Sequence, residues 1–156
     1  MKRINLIKAV CLSMTAIACI TLSTAASAAV VEVKELNMGT DGQPMAYEPA
    51  LVRIAPGDSV HFVAADKNHG VESIPGMLPD GATPIAGAPS EDHVIKFDKP
   101  GVYGYRCKPH YAMGMVGLVV VGKPVNEAAA KTALDSGMPP FAKNKLAKAF
   151  TDLDGK

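Results

Sequence analysis

Cys107, His110 and Met115 follow the spacing C-x2-H-x4-M inside the stretch Arg106-Cys107-Lys108-Pro109-His110-Tyr111-Ala112-Met113-Gly114-Met115. A thiolate, an imidazole and a thioether thus fall within nine residues. Together those donor types suit a copper ion that cycles between Cu(II) and Cu(I). A thiolate that coordinates a metal is deprotonated outright. Two neutral imidazoles would complete a trigonal plane with it, and a weak axial methionine, whose sulfur is soft, favours Cu(I). Zinc suits this set badly, because zinc sites are built from Cys, His and carboxylate. A cysteine nucleophile activated by His110 would need an oxyanion hole and an orienting group, and the sequence offers a candidate for neither.

A fourth donor must come from outside the loop, and three other histidines exist. His69, in Lys67-Asn68-His69-Gly70-Val71, stands at the mouth of a loop just before a strand, where it can meet a second loop. His61 lies mid-strand on the face opposite Val60 and Phe62 and reads as a surface residue. His93 opens a strand beside Glu91 and Asp92 and reads as a solvated edge residue. Of the two methionines in reach, Met115 adjoins Val116, where a strand begins, so the scaffold can fix its distance from a metal. Met113 sits nearer the loop tip.

The loop needs rigid elements at both ends, and two apolar, strand-like runs flank it, Gly101–Tyr105 and Val116–Val121. Further strands are expected over Val30–Leu36, Ala50–Ile54, Ser59–Val63, Gly70–Ile74 and His93–Phe97. Val60, Phe62 and Ala64 share an inward face, and so do Ile95 and Phe97. Ala55-Pro56-Gly57-Asp58 carries type II turn chemistry, with proline presetting φ and glycine taking φ > 0. Lys99-Pro100-Gly101-Val102 repeats that pattern, and Pro75 to Pro89 reads as a long loop. Short strands at this spacing with turn signals between them argue for an all-β sandwich.

After Pro124 the chain changes character. Asn126-Glu127 can cap a short helix to about Leu134, stopped by Ser136-Gly137. Pro139-Pro140 introduces a second helix with an apolar stripe of Phe141, Leu146, Phe150 and Leu153, expected to dock on the sandwich rather than on a membrane.

The N-terminus carries an export signature. Met1-Lys2-Arg3 is basic, Ala9 to Leu22 is apolar or small, and Ala26-Ser27-Ala28 gives an A-x-A cleavage pattern. The apolar run is short of the ~20 residues a membrane span needs. Residues 1–28 are therefore expected to be a cleaved signal peptide, leaving 29–156 as one domain with no membrane anchor. Lys2, Arg3 and Lys8 leave with the signal, so 13 basic residues face 15 acidic ones, a net charge of −2 that does not suit nucleic acid. Cys11 and Cys19 leave as well. The lone Cys107 then cannot form an internal disulfide in an oxidising compartment.

The loop Cys107-Lys108-Pro109-His110-Tyr111-Ala112-Met113-Gly114-Met115 resembles the copper loop of pseudoazurins, blue-copper proteins of the cupredoxin group. The likeness extends to Met45-Ala46-Tyr47-Glu48-Pro49, to Asp66-Lys67 with Val71-Glu72-Ser73-Ile74, and to the two-helix tail. It implies an eight-stranded Greek-key sandwich with two C-terminal helices, and one copper ion held by His69, Cys107, His110 and Met115. It implies a periplasmic electron carrier, commonly feeding a copper nitrite reductase and taking electrons from donors such as c-type cytochromes. One departure stands out. Such proteins usually carry Asn directly after the first histidine, where its side chain ties the two ligand loops. Here Gly70 follows His69 and Asn68 precedes it, and Lys108 replaces a commoner small hydroxyl residue. The Gly70 N–H can still donate to the Cys107 sulfur.

Electrons are expected to pass at the exposed edge of His110, inside an apolar collar of Met45, Pro109, Ala112 and Met113. Lys67, Arg106 and Lys108 lie beside ligands in sequence and would form a basic ring that steers an acidic partner. A copper-holding or delivery protein with no redox cycle is the alternative. An enzyme is disfavoured because protein donors fill all four positions. Nothing demands more than a monomer.

Overall fold

The computed structural model describes residues 27–155, so the segment expected to be a signal peptide lies outside the described residues except for Ser27 and Ala28. Nine strands and two helices follow in order: β1 (Val30–Met38), β2 (Pro44–Glu48), β3 (Leu51–Ile54), β4 (Ser59–Val63), β5 (Val71–Ser73), β6 (Ala86–Gly87), β7 (His93–Lys96), β8 (Gly101–Arg106), β9 (Val116–Val121), α1 (Glu127–Ala133) and α2 (Pro140–Asp154). One sheet has the order β2-β1-β4-β7 and the other β3-β9-β8-β5-β6. The ninth strand beyond the expected eight is the two-residue β6, which breaks the loop expected from Pro75 to Pro89. The β1/β4 and β3/β9 pairs are parallel, and the other pairs are antiparallel.

β2 gave no strand signal, because Pro44 opens it and Met45 has a positive φ of 53°. It forms as an edge strand, where proline withholds no needed ladder donor. The Ala55–Asp58 turn is as expected, with Gly57 at φ 96° and the Asp58 N–H bonded to Ala55 O. The second Pro-Gly stretch differs. The Val102 N–H goes to the Asn126 side chain, whose amide donates back to Val102 O. Asn126 thus extends the ladder of β8 and makes no side-chain cap on α1.

All six residues of β9 are buried, because this strand is covered on both faces. Val119 and Val121 enter the core between the sheets with Val33, Val60, Phe62 and Tyr105. Val116, Leu118 and Val120 enter a second core beneath the helices. In α2 the buried stripe is Ala142, Leu146, Ala149, Phe150 and Leu153. Phe141, expected in that stripe, is 67% exposed at the first turn. Pro140 fits the first helical position, where its missing N–H costs nothing. The other end is held by Arg53 of β3, whose guanidinium donates to Leu153 O at 2.8 Å. Among the described residues no helix is long and apolar enough to cross a membrane.

Candidate metal centre

β8 delivers Cys107 and β9 receives Met115, so the intervening loop is clamped at both ends by the longest antiparallel ladder of its sheet. The loop also closes on itself. Cys107 N–H donates to Met115 O (3.0 Å), and Met115 N–H donates to His110 O (3.2 Å). Residues Tyr111–Met113 form one turn of 3-10 helix. His69 arrives from the connection between β4 and β5.

Three of the four residues, His69, Cys107 and His110, bring their donor atoms to one place. His69 Nδ1 and His110 Nδ1 are 3.0 Å apart, Cys107 Sγ lies 3.9 Å from His69 Nδ1 and 3.4 Å from His110 Nδ1. A point equidistant from these three atoms lies about 2 Å from each, close to a metal–imidazole bond length. Met115 is fully buried in the same core cluster as Cys107, whereas Met113 is 45% exposed. The donor chemistry and the triangle therefore fit a copper ion. Copper, when bound, supplies a one-electron couple.

Other residues set the donors. Asn37 Oδ1 lies 2.9 Å from His69 Nε2, so it accepts the ring N–H and leaves Nδ1 bare as a donor. Burial and the His110 ring hold the His69 imidazole below its ordinary pKa, which favours the neutral ring. Burial pushes the Cys107 thiol up, against hydrogen bonds to its sulfur from the Gly70 and His110 backbone N–H groups; a coordinated metal ion would deprotonate it. Tyr47 O–H donates to Gly70 O at 2.6 Å and holds that residue in place.

The segment between β6 and β7 backs the first histidine. Ser90 N–H donates to His69 O (2.7 Å) and Ser90 Oγ accepts from Asn68 N–H (2.8 Å). Asn68 and Ser90 both have positive φ, of 70° and 67°. Neither is glycine, and such strained backbone clusters at functional sites. A Cβ on Gly70 would stand 2.9 Å from Gly87 O and 3.1 Å from Pro89 N, so no side chain fits after His69. The exposed Asn68 makes no side-chain hydrogen bond among the described residues and does not replace the missing asparagine tie.

The remaining expectations divide. His61 is half-buried, with Nε2 3.5 Å from Asp92 Oδ2, and lies apart from the triangle. His93 opens the edge strand β7 and lies apart from the triangle, as expected, but it is half-buried rather than solvated, and its Nε2 hydrogen-bonds Ala88 O at 3.0 Å. Pro109, Ala112 and Met113 are exposed beside the half-buried His110, whereas Met45 packs partly against the inner core. Lys67 and Lys108 are exposed, but Arg106 is paired with Glu72 (2.8 Å) and does not form a free member of a basic ring. Asn37 and Ser90 carried no sequence signal as site residues, and Tyr47 and Glu72 stood only inside the motifs of the resemblance with no role assigned, since each reaches the site only through folding.

Residues 33–122 match the model of the copper binding proteins of the plastocyanin/azurin family. The chain belongs to that family. Within it the similarity runs to pseudoazurins. The chain is 55% identical over 108 residues to pseudoazurin of Methylorubrum extorquens, covering 69% of this chain and 72% of that protein. It is 43% identical over 136 residues to pseudoazurin of Paracoccus pantotrophus, covering 86% and 91%. Among solved structures, the pseudoazurin from Methylobacterium extorquens AM1 superimposes with a TM-score of 0.74 at 47% identity, over 80% of this chain and 98% of that one. The chain is a copper protein of the electron-transfer class and not an enzyme.

Proposed function

We propose that this chain is an exported carrier that shuttles single electrons through one mononuclear type 1 copper site, with His69, Cys107, His110 and Met115 as the ligands. The observation that carries the reading is the triangle of His69, Cys107 and His110 donors beside the buried Met115. His69, Cys107 and Met115 are closed off from solvent, so only the half-buried His110 offers an edge to a partner. That burial favours a carrier over a delivery protein, which would have to hand its ion out through exposed donors.

The chain's own residues perform three tasks. The ladder of β8 and β9 fixes the span from Cys107 to Met115, so donor positions change little between oxidation states. Asn37 and Ser90 hold His69 in one tautomer and one position. Pro109, Ala112 and Met113 surround the His110 edge with apolar surface that a partner covers briefly and releases. We place the protein in the periplasm, after removal of residues 1–28, feeding a copper nitrite reductase or another periplasmic redox enzyme and drawing on c-type cytochromes. The test is to load the purified protein with copper. Intense visible absorption that bleaches with a reductant and returns on oxidation is expected, whereas colourless or irreversibly reduced copper would refute the carrier role.

A further inference from the structure

Arg106 touches the surroundings of three proposed ligands at once. It precedes Cys107 and lies opposite Glu72 in the β5–β8 pairing, three residues beyond His69. Its Nε and Nη2 each stand 2.8 Å from Glu72 Oε1. Its guanidinium carbon lies 4.6 Å from the ring centroid of Tyr111, the residue after His110. The Arg106 and Glu72 side chains are 24% and 33% exposed, so the ion pair is partly withdrawn from water.

The planar fork on one side and the aromatic face on the other define the loop's angle. A carboxylate and a ring held by the same guanidinium fix the 3-10 turn, and with it His110, relative to the strand that follows His69. The brace also answers a vacancy. With Gly87 O and Pro89 N closing the space at Gly70, no side chain from that position can cross to the second loop. What Gly70 itself offers the second loop is its N–H to the Cys107 sulfur, which does not reach the loop tip.

We propose that Arg106 is a positioning residue, locking the His110-bearing loop to the His69-bearing segment through Glu72 and Tyr111. The inference rests on the copper-carrier reading for its spectroscopic arm, while a metal-free arm tests the lock itself. In the metal-free protein, amide exchange across Lys108–Met113 is measured for Arg106→Met, Arg106→Lys, Tyr111→Ala and Tyr111→Phe. Exchange is expected to rise about tenfold in the first three and to stay at the wild-type rate in Tyr111→Phe, because lysine keeps the charge but neither the fork nor the flat stack, and phenylalanine keeps the ring. The copper-loaded variants should follow the same order in the ratio of their thiolate-to-copper absorption bands. A wild-type result for Arg106→Lys in both arms would reduce the brace to a simple charge pair and overturn the proposal. Faster exchange with unchanged bands would do so too, leaving Arg106 as a loop stabiliser. If the wild-type protein never colours with copper, the carrier reading fails, and the exchange arm still decides whether the lock exists.

Discussion

The two hydrophobic cores share sheet β3-β9-β8-β5-β6 yet differ in kind. Beneath the helices the buried residues are all apolar: Ile74, Met77, Leu118, Leu146, Phe150, Leu153 and their neighbours. Between the sheets lie Cys107, Met115, Tyr47 and Tyr105, and the fully buried Glu35 and His69 belong to the same interior. Both carboxyl oxygens of Glu35 and the Tyr105 hydroxyl lack a hydrogen-bond partner among the described residues. Buried polar groups without partners cost roughly 1–3 kcal/mol each. One core is built for cohesion; the other tolerates polar burial around the donors. Apolar burial under the helices supplies stability that offsets the polar burial at the site.

If that division holds, changes in the two cores should separate stability from colour. The largest effect is expected for Cys107→Ala, which should abolish the thiolate-to-copper absorption completely while far-ultraviolet circular dichroism still shows the sandwich. A variant that kept the band would remove Cys107 from the site. Next comes Phe150→Ala, in the helix-side core. It should cost about 3–5 kcal/mol in urea unfolding, with the visible spectrum unmoved. A large spectral change there would mean that the two cores are coupled.

Glu35 gives a smaller effect with a definite pH sign. Burial, the main cause, raises its pKa to about 7 from an ordinary 4.5. His93 opposes that shift, and Asp92 adds to it. The unfolded chain therefore releases this proton first, and stability falls as pH rises through the window from 4.5 to 7. Glu35→Gln should gain roughly 2–3 kcal/mol on wild type between pH 5 and pH 8, read from paired urea unfolding curves. A constant difference across that range would show that Glu35 ionises in the fold as freely as outside it.

The smallest pair concerns the two tyrosines whose rings meet at 4.9 Å. Tyr47→Phe removes the bond to Gly70 O and should cost about 1 kcal/mol. Tyr105→Phe removes an unpartnered hydroxyl and should be neutral or stabilising. Only Tyr47→Phe should move the reduction potential, because Gly70 N–H reaches the Cys107 sulfur. Equal effects from both would erase the distinction between a working hydroxyl and an idle one.

Much of this molecule is legible in the residues alone, and the reasons are local. The loop donors lie within nine positions, so their chemistry can be read without a fold. β9 announces itself because a strand buried on both faces must be apolar throughout, and Leu146, Phe150 and Leu153 keep a helical period. Failures came where a neighbour distant in sequence decided the outcome. Phe141 fits the stripe by spacing, yet at the first turn of α2 it faces solvent. Asn126 has the composition of a cap, but β8 presents it with an unpaired N–H and C=O. Pro44 and the positive φ of Met45 hide β2, which exists because β1 offers a ladder edge.

The same division runs through the site. Sequence decided which atoms are proposed as metal donors, because donor softness belongs to the side chain and travels with it. Tertiary structure decided how those atoms are held. Asn37 selects the His69 tautomer from 32 positions away, Ser90 pins its backbone, and Gly87 with Pro89 forbids a side chain at position 70. Arg106 looked like a free surface charge until Glu72 and Tyr111 were found against it. Apart from the Arg106–Tyr111 stack inside the loop, each of these contacts joins segments brought together by strand pairing or by loop packing, so no local pattern could contain it.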